Sequence, residues 1–212
     1  MTIRDKLGIP QTVQLLAVTK YATPEQVSIL YAHGIRDMAE NTVQKLLAKQ
    51  AMFPDVRWHL IGPLQRNKVA KAVAHAACIQ SVDRLVIADA IATAAQKRDL
   101  CMPVMIQVNM TNHPDRAGFP VSSLEAVLDQ LTHLSGILVT GLMIMGPHPA
   151  TDDAIRSVFL EAQALFDTYQ ALYPSIQTLS MGMSHDYKLA IHCGSTQVRL
   201  GSVLLDLANT LG

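Results

Sequence analysis

Lys20 closes the apolar run Leu15-Leu16-Ala17-Val18-Thr19, and Tyr-Ala-Thr-Pro follows it at once. An amine at the carboxyl end of a buried strand can be partly desolvated, which makes it a nucleophile for an aldehyde. The bland alternative is a lysine that simply reaches into solvent along its apolar stem. A second centre lies near the other end of the chain, at Arg199-Leu200-Gly201-Ser202. Glycine and serine where a strand turns into a helix expose backbone N–H groups at the positive end of the helix dipole, a cradle for phosphate. A tight turn that needs Gly201, with Ser202 as the helix N-cap, has the same sequence. Ser184, in the preceding loop, could add a hydroxyl donor. Arg199 is always charged and could donate to a ring nitrogen or an anion, or pair with an ordinary surface carboxylate. Lysine, phosphate turn and arginine suit the same ligand if a fold brings them to one mouth.

Such a fold is legible in the alternation of the chain. Short apolar runs at 15–19, 36–40, 57–61, 77–81, 103–109, 137–145, 177–181 and 196–200 read as strands. Helical periods fit 24–34, 41–50, 64–75, 83–98, 121–134 and, most clearly, 151–172. There Ile155, Val158, Phe159, Ala162, Leu165, Phe166 and Tyr169 recur at steps of three and four, with Thr151 as a capping start and Pro174 as a stop. Eight strand-like runs, each followed by a helix-like run, point to a (β/α)8 barrel of the TIM type. An open doubly wound sheet is the competitor, but no GxGxxG or P-loop pattern follows the first strand. No linker, repeat or low-complexity stretch breaks the chain, so residues 1–212 are read as one domain.

In a barrel, function sits at the carboxyl ends of the strands. Asn41 ends the second strand, where hydrogen bonding to a ligand and capping of the next helix are both open. His59 lies on the third; a lone histidine on an apolar strand is more often a satisfied core residue than a catalyst. Asn109 ends the fifth strand, and Met181 falls in the run 177–181. The ten methionines read as soft core filling. Lysine plus arginine and aspartate plus glutamate both number 17, so no global field draws in nucleic acid or an anionic membrane, and an anion needs a local site. No apolar run approaches the roughly 18 residues of a membrane span, and no leader-type apolar segment opens the chain. Cys78, Cys101 and Cys193 are an odd set at wide spacings, as expected of reduced thiols in a cytoplasm.

The strings LLAVTK, MAENTVQK, WHLIGPLQRNK, IQSVD, VNMTNHPDRAGF, GLMIMGP, LSMGMSHDYKLAI and GSTQVRLGS follow one another in an order and spacing that resemble the pyridoxal-phosphate homeostasis proteins, the YggS/PROSC family. These are relatives of the alanine racemase N-terminal barrel, and the resemblance runs from about residue 13 to about residue 205. It implies that Lys20 forms a Schiff base with pyridoxal 5'-phosphate. It implies further that Ser184, Gly201 and Ser202 hold the phosphate, that Arg199 faces the pyridine nitrogen, and that Asn41, His59 and Met181 line the cofactor face. Alanine stands before Glu40-Asn41 where the family usually has glycine, Thr42 replaces a bulkier residue, and His192 replaces an acidic one. The amino-terminal helix that often covers the barrel floor is expected to be missing or trimmed.

An arginine at the pyridine nitrogen leaves that nitrogen unprotonated and the cofactor a weaker electron sink. Racemases of this barrel class add a second base from a second domain, and only ten residues follow Ser202 here. The expectation is therefore a monomeric cytoplasmic carrier that serves vitamin B6 homeostasis with little or no turnover, with apo-enzymes as acceptors. A weak amino-acid racemase and a cofactor-free barrel that binds a phosphorylated metabolite are the alternatives.

Overall fold

A computed structural model of the chain describes residues 2–111, 113, 115–147 and 149–211. Nine strands occur among them: β1 (Gln14–Val18), β2 (Asp37–Glu40), β3 (Arg57–Leu60), β4 (Cys78–Val82), β5 (Met102–Asn109), β6 (Phe119–Pro120), β7 (Ile137–Ile144), β8 (Thr178–Ser180) and β9 (Gln197–Leu200). The order β4-β3-β2-β1-β9-β8-β7-β5, closed by a β4–β5 pairing, makes an eight-stranded parallel barrel. The two-residue β6 is a side branch on the end of β5, too short to register as an apolar run. The helices are α1 (Ile3–Leu7), α2 (Pro24–Ala32), α3 (Val43–Met52), α4 (Val69–His75), α5 (Leu85–Gln96), α6 (Leu124–Thr132), α7 (Asp152–Leu172), α8 (Tyr187–His192) and α9 (Ser202–Leu211).

Local chemistry sets the helix starts. Thr23 and Gln26 form a capping box ahead of Pro24, which pre-sets the first turn of α2. Thr42, not Asn41, caps α3, its hydroxyl accepting from the Lys45 N–H at 3.3 Å. Thr151 caps α7 in the same way. An amino-terminal helix, expected to be missing or trimmed, is present as the five-residue α1. Its Ile3 and Leu7 are buried, and the Tyr187 hydroxyl donates to the Leu7 carbonyl at 3.0 Å.

Successive side chains on a strand point to opposite faces, so each barrel strand feeds two cores. Outward residues such as Ala17, Met38, Trp58 and Ile79 join the helix layer, where Leu30, Leu46 and Phe159 are fully buried. Each such side chain contributes about 1.5–3 kcal/mol by leaving water. Inward residues form separate groups: Leu16, Val18 and Ala39 on one side, and Cys78, Met105 and Met143 on another. Gln80 on β4 donates to Gln197 on β9 at 2.8 Å, a contact between strands that are not neighbours. The hydrogen bond therefore crosses the barrel interior, and it identifies the inward-facing parity of β4 and β9.

Candidate functional site

Inward parity on β1 runs Gln14, Leu16, Val18 and then Lys20, which projects at the carboxyl end of the barrel. The backbone there is held from both sides. The Thr19 N–H donates to the Ala39 carbonyl at 3.0 Å, and the Lys45 ammonium donates to the Lys20 carbonyl at 2.7 Å. Lys49 donates to the Thr19 carbonyl and, at 2.6 Å, to Glu40. The Lys20 amine itself is half-buried and lies 5.1 Å from the centre of the exposed Tyr21 ring. On β2 the same parity gives Asp37, Ala39 and Asn41. Gly62 lies so close to Asn41 that a Cβ there would sit 2.1 Å from the Asn41 carbonyl oxygen.

The neighbouring strand, β9, carries Arg199 and then Gly201. Gly201 accepts the first helical hydrogen bonds of α9, from the N–H groups of Leu204 (2.9 Å) and Leu205 (3.1 Å), which makes it the N-cap and Ser202 the first helical residue. The Ser184 hydroxyl accepts from the Gly201 N–H at 3.1 Å, so the loop after β8 already meets the first donor of the cradle. Gly201 has no positive φ, and a Cβ on it would meet Val18 only at ordinary contact, 3.5 Å. The turn as such does not require glycine. A bare Cα leaves room for a ligand to reach the backbone donors.

Lys20, Asn41, Ser184, Arg199, Gly201 and Ser202 border one cleft of about 510 Å³, of a size for a small phosphorylated molecule. A larger groove of about 710 Å³ lies between α4 and α5, away from the strand ends where this fold places chemistry. Arg199 is 3% exposed. It donates to the Ser180 carbonyl (2.6 Å), the Ser180 hydroxyl (2.9 Å) and the Ile144 carbonyl (2.7 Å), and touches the Met145 sulfur at 3.3 Å. Among the described residues no carboxylate forms an ion pair with it. Burial brings its pKa down to about 10, against the field of Asp186. An arginine with that value remains a cation at neutral pH.

Two of the expected cofactor-face residues are not brought to the cleft. His59 faces the barrel interior, where Nε2 lies 3.3 Å from Asp37 and Nδ1 lies 3.2 Å from the Gln80 amide nitrogen. It is the satisfied core histidine that such a position more often holds. Met181 is fully buried against the helix layer. Ser180 takes the inward parity on β8, so its successor must point outward. Conversely, Ser180, Ile61, Met145 and Met183 stand at or under the cleft; they lie inside the strings that carry the family resemblance but are not among the residues to which it gives a role.

Asp37 is held well below the usual carboxylate range: burial pushes its pKa up, but hydrogen bonds from His59 and Arg57 outweigh that push. The sign follows from linkage. A carboxylate with a depressed folded pKa contributes stability above its unfolded pKa of about 4 and loses that contribution as pH falls below it. Asp37→Asn is therefore expected to flatten the loss of urea resistance between about pH 5 and 3; an unchanged acid limb would contradict the pairing. The Cys78 thiol, buried in the barrel, is pushed up to about 12 and is no nucleophile at neutral pH. No group of three or more His, Cys, Asp or Glu able to hold a metal occurs among the described residues. No described helix is long and apolar enough to cross a membrane.

The alanine racemase N-terminal domain family matches residues 2–208. The pyridoxal phosphate homeostasis protein of Deinococcus radiodurans is 38% identical over 195 residues, covering 91% of this chain and 88% of its own. That of Aquifex aeolicus is 34% identical over 194 residues, covering 90% and 85%. PipY of Synechococcus elongatus PCC7942, solved with PLP bound, superposes with a TM-score of 0.87 at 36% identity over 94% of this chain and 95% of its own. The chain belongs to the pyridoxal phosphate homeostasis protein family, on a barrel of the alanine racemase N-terminal type.

Proposed function

We propose that this chain binds pyridoxal 5'-phosphate in the cleft between Lys20 and the start of α9 and serves as a carrier in vitamin B6 homeostasis. The observation that carries the reading is one cleft bordered by a strand-end amine and, on the strand paired with it, an anion cradle and a buried arginine. The names of its relatives and the cofactor in PipY support the same ligand. When bound, the cofactor supplies an aldehyde that condenses with an amine, releasing one water, and a pyridine ring that draws electrons.

Lys20 supplies the amine. The Ser202 N–H and the Ser184 and Ser202 hydroxyls take the phosphate where Gly201 opens the turn, aided by the dipole of the ten-residue α9. Arg199 meets the ring nitrogen. Arginine is a poor proton donor to a pyridine, so the ring stays a weak electron sink, which suits retention and handover rather than turnover. Asn41 borders the same cleft and orients the ring. The chain acts as one domain and as a monomer in the cytoplasm, with apo-enzymes as acceptors.

Borohydride reduction in the presence of pyridoxal phosphate tests this. The wild type is expected to gain the mass of one reduced cofactor and a shifted absorbance band, and Lys20→Ala neither. Equal labelling of both proteins defeats the assignment. A wild type that stays colourless and unmodified points to a phosphorylated metabolite instead. D-amino acid formation that depends on Lys20 would make the protein a weak racemase.

A further inference from the structure

The interior of a parallel barrel is ordinarily filled by layers of Val, Ile and Leu. Here a polar seam runs through it. Asp37, His59, Gln80, Ser180, Gln197 and Arg199 are each at most 9% exposed. Such a seam is tolerable only when every member is satisfied, because an unpaired polar group inside a protein is costly. The bonds connect in series. Arg199 donates to the Ser180 hydroxyl at 2.9 Å, and that hydroxyl lies 3.0 Å from the Gln80 amide oxygen. The Gln80 amide nitrogen lies 3.2 Å from His59 Nδ1, and His59 Nε2 lies 3.3 Å from Asp37.

The two ends limit the directions of the bonds between them. A guanidinium has no acceptor, and an ionised carboxylate has no donor. Ser180 accepts from Arg199 and so turns its one proton onward, with the Gln80 oxygen at 3.0 Å and the Gln197 oxygen at 2.8 Å both in reach. Gln80 accepts with its oxygen and donates with its nitrogen, giving one N–H to His59 and the other to Gln197 at 2.8 Å. His59 accepts at Nδ1 and donates from Nε2 to Asp37. All the donors point from the cation at the mouth towards the anion on the barrel floor, where Arg57 grips Asp37 with two bonds of 2.7 and 2.5 Å.

We propose that His59 and Gln80 are positioning residues that hold Arg199 towards the cleft through this directed chain, with Asp37 as its terminal acceptor. Among the described residues no carboxylate contacts Arg199 directly, and the field of Asp186 together with the aligned dipoles of the chain compensates its charge from a distance. The task given to Arg199 rests on the cofactor reading above. The direction of the chain does not, so the two can fail separately.

Two experiments test the proposal. In ligand-free protein at neutral pH, nitrogen-15 NMR is expected to show one His59 form, with its proton on Nε2 and a bare Nδ1. Gln80→Glu replaces the central donor by an acceptor and is expected to place a second proton on Nδ1. A wild-type ring protonated on Nδ1, or His59 nitrogen shifts unchanged in Gln80→Glu, overturns the directed chain. Ser180→Ala removes a single oxygen and breaks the last link to Arg199. It is expected to weaken pyridoxal phosphate binding about tenfold, the scale of one lost hydrogen bond to a charged group, and to move the absorbance band of the bound cofactor. Unchanged affinity and spectrum in a wild type that binds would overturn the positioning role and leave the cofactor reading intact. A wild type that does not bind would overturn both the cofactor reading and the positioning role.

Discussion

Lys49→Met is expected to destabilise the fold by about 3–5 kcal/mol, the cost of breaking a buried ion pair by removing one partner. Glu40 is fully buried and the Lys49 side chain is 14% exposed. One Glu40 oxygen accepts from Lys49 and from the Thr19 hydroxyl, each at 2.6 Å, while the other oxygen has no partner. Without the ammonium the carboxylate keeps a single donor in a site closed to water. Urea unfolding of the variant measures the loss, and a change below about 1 kcal/mol would show that water reaches the pair. Glu40→Met combined with Lys49→Met is expected to recover most of the stability, since an apolar replacement of a buried pair is often neutral. The double variant separates fold from function. Lys49 also holds the Thr19 carbonyl, immediately before Lys20. Restored stability with poorer cofactor retention would assign the pair a role in presenting the lysine.

The barrel was readable because each strand is buried on both faces and therefore appears as a continuous apolar run. The same continuity hid which residues face inward. Met181 and Ser180 are neighbours in one run, and parity alone separates the helix-facing residue from the one that touches Arg199. The polar seam left a trace in the sequence: Asp37, Gln80, Ser180 and Gln197 interrupt runs that are otherwise apolar. One polar residue in one strand is equally consistent with an exposed edge, and the seam emerges only once β4 and β9 are known to face each other. Lys20 and the Gly201-Ser202 turn were legible for the opposite reason. They sit where strands end, and the chemistry at a strand-to-helix junction depends on local order rather than on long-range contacts. His59 stands on an apolar strand, inside one of the strings that carry the family resemblance. In the structure it bonds to Asp37 and Gln80.

Ser202→Asp is expected to move stability and cofactor affinity in opposite directions. Ser202 is the first residue of α9 and is exposed. A carboxylate in a first helical turn interacts favourably with the dipole, so ligand-free stability should hold or rise by about 0.3–1 kcal/mol. The same carboxylate would stand beside the bound phosphate. Two unit charges about 5 Å apart repel by about 3 kcal/mol at an effective dielectric of about 20, and exposure to solvent reduces this. The expected result is a loss of about 10–100-fold in affinity for pyridoxal phosphate, or about 1.4–2.7 kcal/mol. Raising the salt concentration should shrink the loss, because exposed charges are screened within about 10 Å at 0.1 M. Pyridoxal, which carries no phosphate, should bind both proteins alike. Melting curves of the ligand-free proteins, with titrations by both compounds, decide the matter. Equal loss for pyridoxal would mean a distorted cleft, and unchanged affinity for pyridoxal phosphate would place its phosphate somewhere other than the start of α9.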